Sequence, residues 1–404
     1  MENLIPYIKL IILALACLVT GVCTLSRKWY VNLPVFLICI AGETFMAYLF
    51  FPAYALWPAC GSVAIFAFST AWEHLKPSGR KENKSPIRLP VISGVPYRHL
   101  EFYYYYSNFL VYGGAGSGKT KSIGKWLLEE YIRLGFAGFI YDFKDVDYTQ
   151  TAYNLTKKYG YPHKFYYVSF DKPERSYRFN PLKVVKDRTE LMQLMEDVLL
   201  ALLPKGEKQN EWVAGGLGIL RGVAFRFWDE FPEYCTLPHI MAFIMTASTK
   251  QLSIFLQQNL VAEMMAGAYL KAEGSEKTQA SYLSTLCNNL STISQNEEIA
   301  YILSGDDFDF NLIDPEDPKL FAISNNFSKN SVYAPVIGML MSISTRQFTM
   351  QNKVPFVYFL DEMTTVNIKS FESLPSVLRE YKVAFVLLTQ SGSKLENLYG
   401  KLDR

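Results

Sequence analysis

Residues 108–122 read NFLVYGGAGSGKTKS, a short apolar run followed by four glycines and then lysine and threonine. Glycine at the first and sixth positions, then lysine and a hydroxyl residue, is the spacing of a phosphate-binding P-loop, met by Gly113, Gly118, Lys119 and Thr120. No other stretch constrains the fold as much, because each residue type here has its own physical use. Gly113, Gly114, Gly116 and Gly118 allow positive φ and close backbone approach, so successive N–H groups can point into one concavity around an anion. Lys119 adds a point charge for the β- and γ-phosphates, and Thr120 Oγ can ligate Mg2+. A helix starting near Gly118 turns its positive end toward the same place. The candidate nucleotide-binding set is therefore Gly113, Gly114, Ala115, Gly116, Ser117, Gly118, Lys119, Thr120 and Lys121. The rival reading is a glycine-rich turn without function. The flanks speak against it: residues 109–112 are aromatic and branched, as in a strand, and Ile123, Trp126, Leu127 and Tyr131 recur near a helical period.

The pattern downstream is that of an α/β protein. Residues 137–141 form a short apolar strand ending in Asp142, and 164–170 form another. Strand signals then stop. Leu191, Leu194, Met195, Val198 and Leu199 mark an amphipathic helix beginning near Asp187 and stopped by Pro204 and Gly206. Residues 211–228, 237–246, 250–258 and 277–294 also read as helices, so an all-α subdomain is expected over 187–305. Strands return at 319–324, 355–360 and 383–389, separated by helical segments. Such alternation implies a mostly parallel sheet covered on both faces. The nucleotide-binding domain is thus expected in two parts, 91–186 and 306–404, around the helical insert.

The second chemical motif is FVYFLDE at 356–362, an apolar strand ending in two acids, which matches a Walker B element. Asp361 at the end of a buried strand can reach the Mg2+ water shell, and Glu362 can orient or deprotonate an attacking water. With the P-loop upstream, the pair points to an ATPase using ATP and Mg2+, with Thr120 and Asp361 as its metal residues. Gln390 ends the strand VAFVLLTQ, where its amide can sense a γ-phosphate from an adjacent strand. Arg379, in LREYKVAF, is either a helix C-terminal cation or an arginine finger for an adjacent subunit. Residues 303–306, LSGD, imitate the start of an ABC signature but lack the following Gly-Gln, and read as a helix C-cap at Gly305 before an acidic turn.

The front of the chain is different in kind. Only Glu2, Lys9, Arg27, Lys28 and Glu43 are charged among residues 1–72. Residues 10–26 form an uncharged run close to the roughly 20 needed to span a bilayer. A signal peptide is the rival, but no basic region precedes Lys9 and no cleavage site is evident. Residues 31–72 suit two further crossings, near 33–51 and 55–72; the alternative is one long helix plus a reentrant stretch. Glu43 inside a span would cost about 2 to 3 kcal/mol, so it should face another helix or a subunit interface. Arg27 and Lys28, then Lys76, Arg80, Lys81, Lys84 and Arg88, place the first loop and the end of the anchor on the cytoplasmic side, where ATP is. An anchor of two or three helices over 1–75 and a linker over 76–90 are expected.

Charge selects no partner, because the whole chain carries +2. Any nucleic-acid contact must be local. Six cysteines without a CxxC pair, and four isolated histidines, indicate neither a disulfide framework nor a zinc site. Four consecutive tyrosines, Tyr103 to Tyr106, read as a strand or strand pair beside the nucleotide site, with a base-stacking platform as the second reading.

Taken together, the chain resembles the type IV coupling proteins of conjugation, the TraG/TraD family within the FtsK/HerA-like P-loop ATPases. The features that carry the likeness are the apolar N-terminus, GGAGSGKTKS, Asp142-Phe143-Lys144, Phe179-Asn180-Pro181-Leu182, the helical insert, FLDEMTTV, LREYKVAFVLLTQS and Tyr399-Gly400. The resemblance implies a RecA-like ATPase that forms a homo-hexamer at the bacterial inner membrane. It implies passage of relaxase-bound single-stranded DNA to a type IV secretion channel, with channel proteins as partners. It favours Arg379 and Gln390 beside Glu362 as catalytic residues, and leaves the role of Asp142 and Lys144 open. The family's ATPase domain continues beyond the counterpart of Arg404 with at least another strand, so a truncated domain with an unpaired sheet edge is expected here. The alternative functions are a non-hydrolysing docking platform and a secretion-assembly ATPase that does not move DNA.

Overall fold

The computed structural model describes residues 85–90, 99–203, 210–349, 351–368 and 370–399, with positions 40–42, 44–49, 52, 60 and 63. They belong to two compact units, 1–84 and 85–404. In the first, residues 40–42 and 44–49 are helical. The expected span at 10–26, and most of those at 33–51 and 55–72, lie outside the described residues. Among the described residues, no helix is long and apolar enough to cross a membrane.

Among the described residues, the second unit has eight strands. β1 (Ile87–Pro90) and β2 (His99–Phe102) form a small antiparallel pair. β3 (Phe109–Tyr112), β4 (Ala137–Asp142), β5 (Lys164–Ser169), β6 (Lys319–Ser324), β7 (Phe356–Leu360) and β8 (Val383–Thr389) form one six-stranded sheet in the order β3-β8-β7-β4-β6-β5. Every pairing in it is parallel. The reason lies in composition. β4, β6, β7 and β8 are buried at every position, and strands covered on both faces need apolar side chains in both directions. Phe139, Tyr141, Tyr358 and Leu360 point into one core, and Ile140, Phe359 and Val386 into the other. The last six residues of the expected linker, 85–90, belong to this second unit.

α1 (Lys125–Arg133) and α2 (Asp147–Tyr159) cover one face. The buried stripe of α1 is Leu127, Leu128, Tyr131 and Ile132, whereas Trp126 is 43% exposed, so the sequence periodicity counted one residue too many. Glu130 of α1 accepts from Arg88 N at 2.8 Å and pairs with Arg133, tying β1 to the helix. The tyrosines Tyr103 to Tyr106 are not strand residues. They make the turn between β2 and β3, with Tyr105 donating to Ser85 O at 2.6 Å and Tyr104 83% exposed.

The helical block consists of α3 (Arg188–Leu202), α4 (Glu211–Glu230), α5 (Leu237–Thr246), α6 (Thr249–Gln257), α7 (Leu260–Met265), α8 (Gly267–Lys271), α9 (Glu276–Ser294) and α10 (Glu297–Leu303). Asp187, Asn210, Thr236 and Ser248 accept from backbone N–H groups at the starts of the helices that sequence reading found. α7 and α8 were not foreseen, being too short to show a period, whereas α10 is the helix implied before Gly305. α4 is the hub: a Cβ at Gly218 would lie 2.7 Å from Met265 O, and one at Gly222 would lie 2.9 Å from Ala262 O. Small residues there let α7 approach closely.

One smaller expectation needs correction. Gly305 is not a left-handed cap. It is a point of close approach, where a Cβ would meet Arg178 Cβ at 2.1 Å, and Asp307 beside it pairs with Arg178 at 3.0 Å. Phe179-Asn180-Pro181-Leu182 is likewise structural: Phe179 is fully buried, and Asn180 caps the following turn while donating to Cys235 O. α11 (Asn330–Thr345) and the short helices α12 (Leu374–Val377) and α13 (Gly392–Tyr399) complete the unit. β3 and β5 are the edge strands of the sheet among the described residues, and Leu110 and Tyr112 of β3 are exposed.

Candidate nucleotide-binding site

Because all six strands of the main sheet run the same way, their C-terminal ends share one edge, where ligands of open α/β sheets bind. The P-loop follows β3 there. β8 lies between β3 and β7, so Gln390 emerges between the P-loop and the acids Asp361 and Glu362. An inserted strand is what allows one polar side chain to stand between phosphate loop and acids.

Within the loop, only Gly116 and Gly118 use positive φ, at 76° and 85°. Gly113 is needed for space instead: a Cβ would lie 2.8 Å from Ser117 Oγ, while Gly114 opens onto free space. Ser117 N donates to Gly114 O at 3.3 Å, closing the turn. Lys119 Nζ donates to the carbonyls of Gly113 and Gly114, the latter at 3.0 Å, which holds the ammonium over the concavity. Gly114, Ala115, Gly116, Ser117 and Gly118 are exposed, as is Lys121. Helix then begins with a wide π-type turn, Thr120–Gly124, before α1. Such turns inside helices are frequent at functional sites.

The acids are held in an unusual way. Asp361 N donates to Tyr141 O at 3.0 Å, and its carboxyl group is buried. Glu362 sits in the left-handed region at φ 49°, ψ 53°, a strained conformation for a residue with a side chain. Thr365 Oγ1 donates to Glu362 O at 2.7 Å and meets the Tyr141 hydroxyl at 2.7 Å, which fixes that turn. Asp361 Oδ2 and Glu362 Oε1 are buried without a hydrogen-bond partner among the described residues. Burial, and then the carboxylates of Asp142 and Glu362, push Asp361 up to about 7, against the pull of Lys144. The buried, incompletely paired carboxyl group of Asp361, at the sheet edge that also carries Lys119 and Thr120, fits a divalent cation held with a phosphate. The residues that would hold it are Thr120 and Asp361.

Asp142, whose role sequence reading left open, organises this corner. Fully buried and pushed up to about 6 by burial, it accepts from Thr149 N at 2.8 Å and Lys144 N at 3.3 Å. It thereby fixes the turn that carries Lys144 to within electrostatic reach of Asp361. An aspartate-x-lysine pattern was the available signal; its structural meaning needed the strand order. Glu362 and Gln390 line one cleft of about 700 Å³ with Phe143, Thr365, Ser391 and Lys394. Arg379 is not brought to either. It is exposed in the turn Leu378–Tyr381, before β8, at the opposite edge of the sheet. The seven residues of β8 separate it from Gln390 by roughly 20 Å.

The electrostatics predict a pH effect on the metal-free protein. Asp361 holds its proton to about pH 7 when folded, against 3.8 as its ordinary value. The folded state then binds more protons than the unfolded one between those values, so stability falls as pH rises from about 4 to about 7 and levels off above. Asp361→Asn should remove its share of that fall, as much as ~4 kcal/mol. Urea unfolding of both proteins in EDTA at pH 5 and pH 8 measures the difference; equal slopes would rule out a raised Asp361.

A family model described as type IV secretory system conjugative DNA transfer matches residues 79–404. No curated protein sequence matches the chain. Among solved structures, the bacterial conjugative coupling protein TrwBdeltaN70, in complex with sulphate, shares 19% identity over 78% of this chain and 70% of its own, with a TM-score of 0.59. TrwB in complex with ADP and Mg2+, and TrwB with a non-hydrolysable ATP analogue, align over the same shares at 19% identity, each with a TM-score of 0.58. At that identity the likeness speaks for the fold, a parallel-sheet α/β NTPase architecture. With its P-loop, acids and glutamine along one sheet edge, the chain belongs to the type IV secretory system conjugative DNA transfer family of coupling proteins.

Proposed function

We propose that this protein is an ATP-driven coupling protein of the bacterial inner membrane, which recruits relaxase-bound single-stranded DNA and moves it to a type IV secretion channel. The observation that carries the reading is the array along one sheet edge, running from Lys119 and Thr120 through Gln390 to Asp361 and Glu362, in a chain of the conjugative DNA transfer family. Bound Mg2+ would supply charge neutralisation at the phosphate oxygens. The protein's residues do the rest. Backbone N–H groups of residues 113–119 and the Lys119 ammonium bind and orient the phosphates, Glu362 accepts a proton from the attacking water, and Gln390 orients the γ-phosphate. Glu362 suits this role because its Oε1 is buried and unpartnered, ready to accept.

Residues 1–75 serve as a multi-pass anchor with the ATPase part in the cytoplasm, and the helical block of 187–305 faces incoming substrate. The working form is a homo-hexamer, with Arg379 of each subunit serving its neighbour. In the membrane-embedded protein, single-stranded DNA should raise the ATP hydrolysis rate several-fold. Nucleotide binding without any DNA effect on turnover would instead favour a docking platform, and hydrolysis that drives assembly yet ignores DNA would favour a secretion-assembly ATPase.

A further inference from the structure

Tyr148 has no part in the roles assigned above. It stands in the first turn of α2, fully buried, with its ring 4.8 Å from that of Phe359 in β7. The hydroxyl lies against the first turn of the P-loop helix, where a Cβ at Gly124 would come within 2.2 Å of it. Glycine at 124 is what lets the tyrosine reach this point. There the Thr120 side chain and Asp361 both lie close enough to act on it electrostatically. Among the described residues, Tyr148 Oη and Asp361 Oδ2 are both buried without a hydrogen-bond partner. A buried donor and a buried acceptor, each unfavourable to leave unpaired, thus lie within electrostatic reach of each other, the acceptor on one of the two residues proposed to hold the metal.

We infer that Tyr148 is a positioning residue for the metal site, accepting a hydrogen bond from the Thr120 hydroxyl and donating one to Asp361 Oδ2 when nucleotide and Mg2+ are bound. The chemistry requires some such acceptor. A threonine that ligates a cation through an oxygen lone pair must direct its proton elsewhere, and the Tyr148 oxygen is a buried acceptor next to it. With the proton so directed, the lone pair of Thr120 points consistently outward. The second oxygen of Asp361 is held while its first remains open. This inference rests on the nucleotide and Mg2+ reading above, so its test must separate the two.

The measurement is equilibrium binding of a fluorescent ADP derivative to the full-length protein in detergent, in Mg2+ and in EDTA. Tyr148→Phe keeps the ring and its packing. It should cut the Mg2+-dependent gain in affinity about 5-fold, with affinity in EDTA unchanged. In a Thr120→Val background the same substitution should have no further effect, because Tyr148 acts through Thr120. A full Mg2+ gain in Tyr148→Phe, or additive losses in the double variant, would overturn the inference. If Tyr148→Phe does not fold, Gly124→Ala displaces the hydroxyl while retaining it and should show the same loss; an undiminished gain there overturns the inference too. A wild-type protein with no Mg2+ gain at all would sink the underlying nucleotide and metal reading instead.

Discussion

Glu362→Gln should lower the DNA-stimulated ATPase rate of the membrane-embedded protein by about 10²- to 10⁴-fold while nucleotide affinity stays within a few-fold of wild type. That loss corresponds to ~3–5 kcal/mol of transition-state stabilisation. The substitution keeps the side chain's size and its capacity to accept one hydrogen bond, but removes the ability to take a proton. Glu362 is buried and its left-handed backbone is fixed by Thr365, so the glutamine should sit where the glutamate does. Lys119→Ala makes the contrast. Lys119 caps the loop through the carbonyls of Gly113 and Gly114, which hold its ammonium over the concavity. Losing it should weaken ATP binding itself and with it all turnover. Steady-state hydrolysis beside equilibrium nucleotide binding reads both variants. Full activity in Glu362→Gln would remove Glu362 as the base, and unchanged affinity in Lys119→Ala would remove the loop as the phosphate site.

The sheet was legible because its strands are short, apolar and bounded by turn residues. All of β3 to β8 lie within a residue or two of where the sequence places them; the helices α3, α4, α5 and α6 carry side-chain caps at their starts, and α9 shows itself by its length and pattern. Strand order was not legible. Nothing in VAFVLLTQ says that it lies between the P-loop strand and the acidic strand, yet that position is what gives Gln390 its place. Side chains acting across elements were invisible for the same reason. Tyr148 carries no signal of its own in the sequence, and Asp142 reads as the end of a strand, until α2 is laid against the P-loop helix. The Tyr103 to Tyr106 run misled because aromatics favour pleated surfaces, whereas here Tyr105 anchors a turn through Ser85 and Tyr131. Gly305 misled because a glycine after a helix fits a left-handed cap equally well as a close contact.

Arg379→Ala should cost about 10³-fold or more in turnover if the arginine serves a neighbouring subunit's phosphates, and almost nothing if it is a surface cation. The fold already excludes one option. Arg379 and the P-loop lie at opposite edges of the same sheet, so no side-chain rotation within one subunit can bring them together. Any catalytic role must therefore be in trans, which a head-to-tail ring makes possible because each interface joins unlike faces. The P-loop suits such an arrangement, since Gly114 through Gly118 are exposed at an edge strand of the sheet. The decisive experiment mixes two inactive proteins. Arg379→Ala subunits keep the P-loop, and Lys119→Ala subunits keep the arginine, so mixed rings contain interfaces where an intact P-loop meets an intact arginine. Recovery of DNA-stimulated hydrolysis on mixing, with neither variant active alone, is the expected result. Inactive mixtures whose subunits are shown to co-assemble would remove Arg379 from the site, and full activity of Arg379→Ala by itself would return it to the role of a helix-end cation.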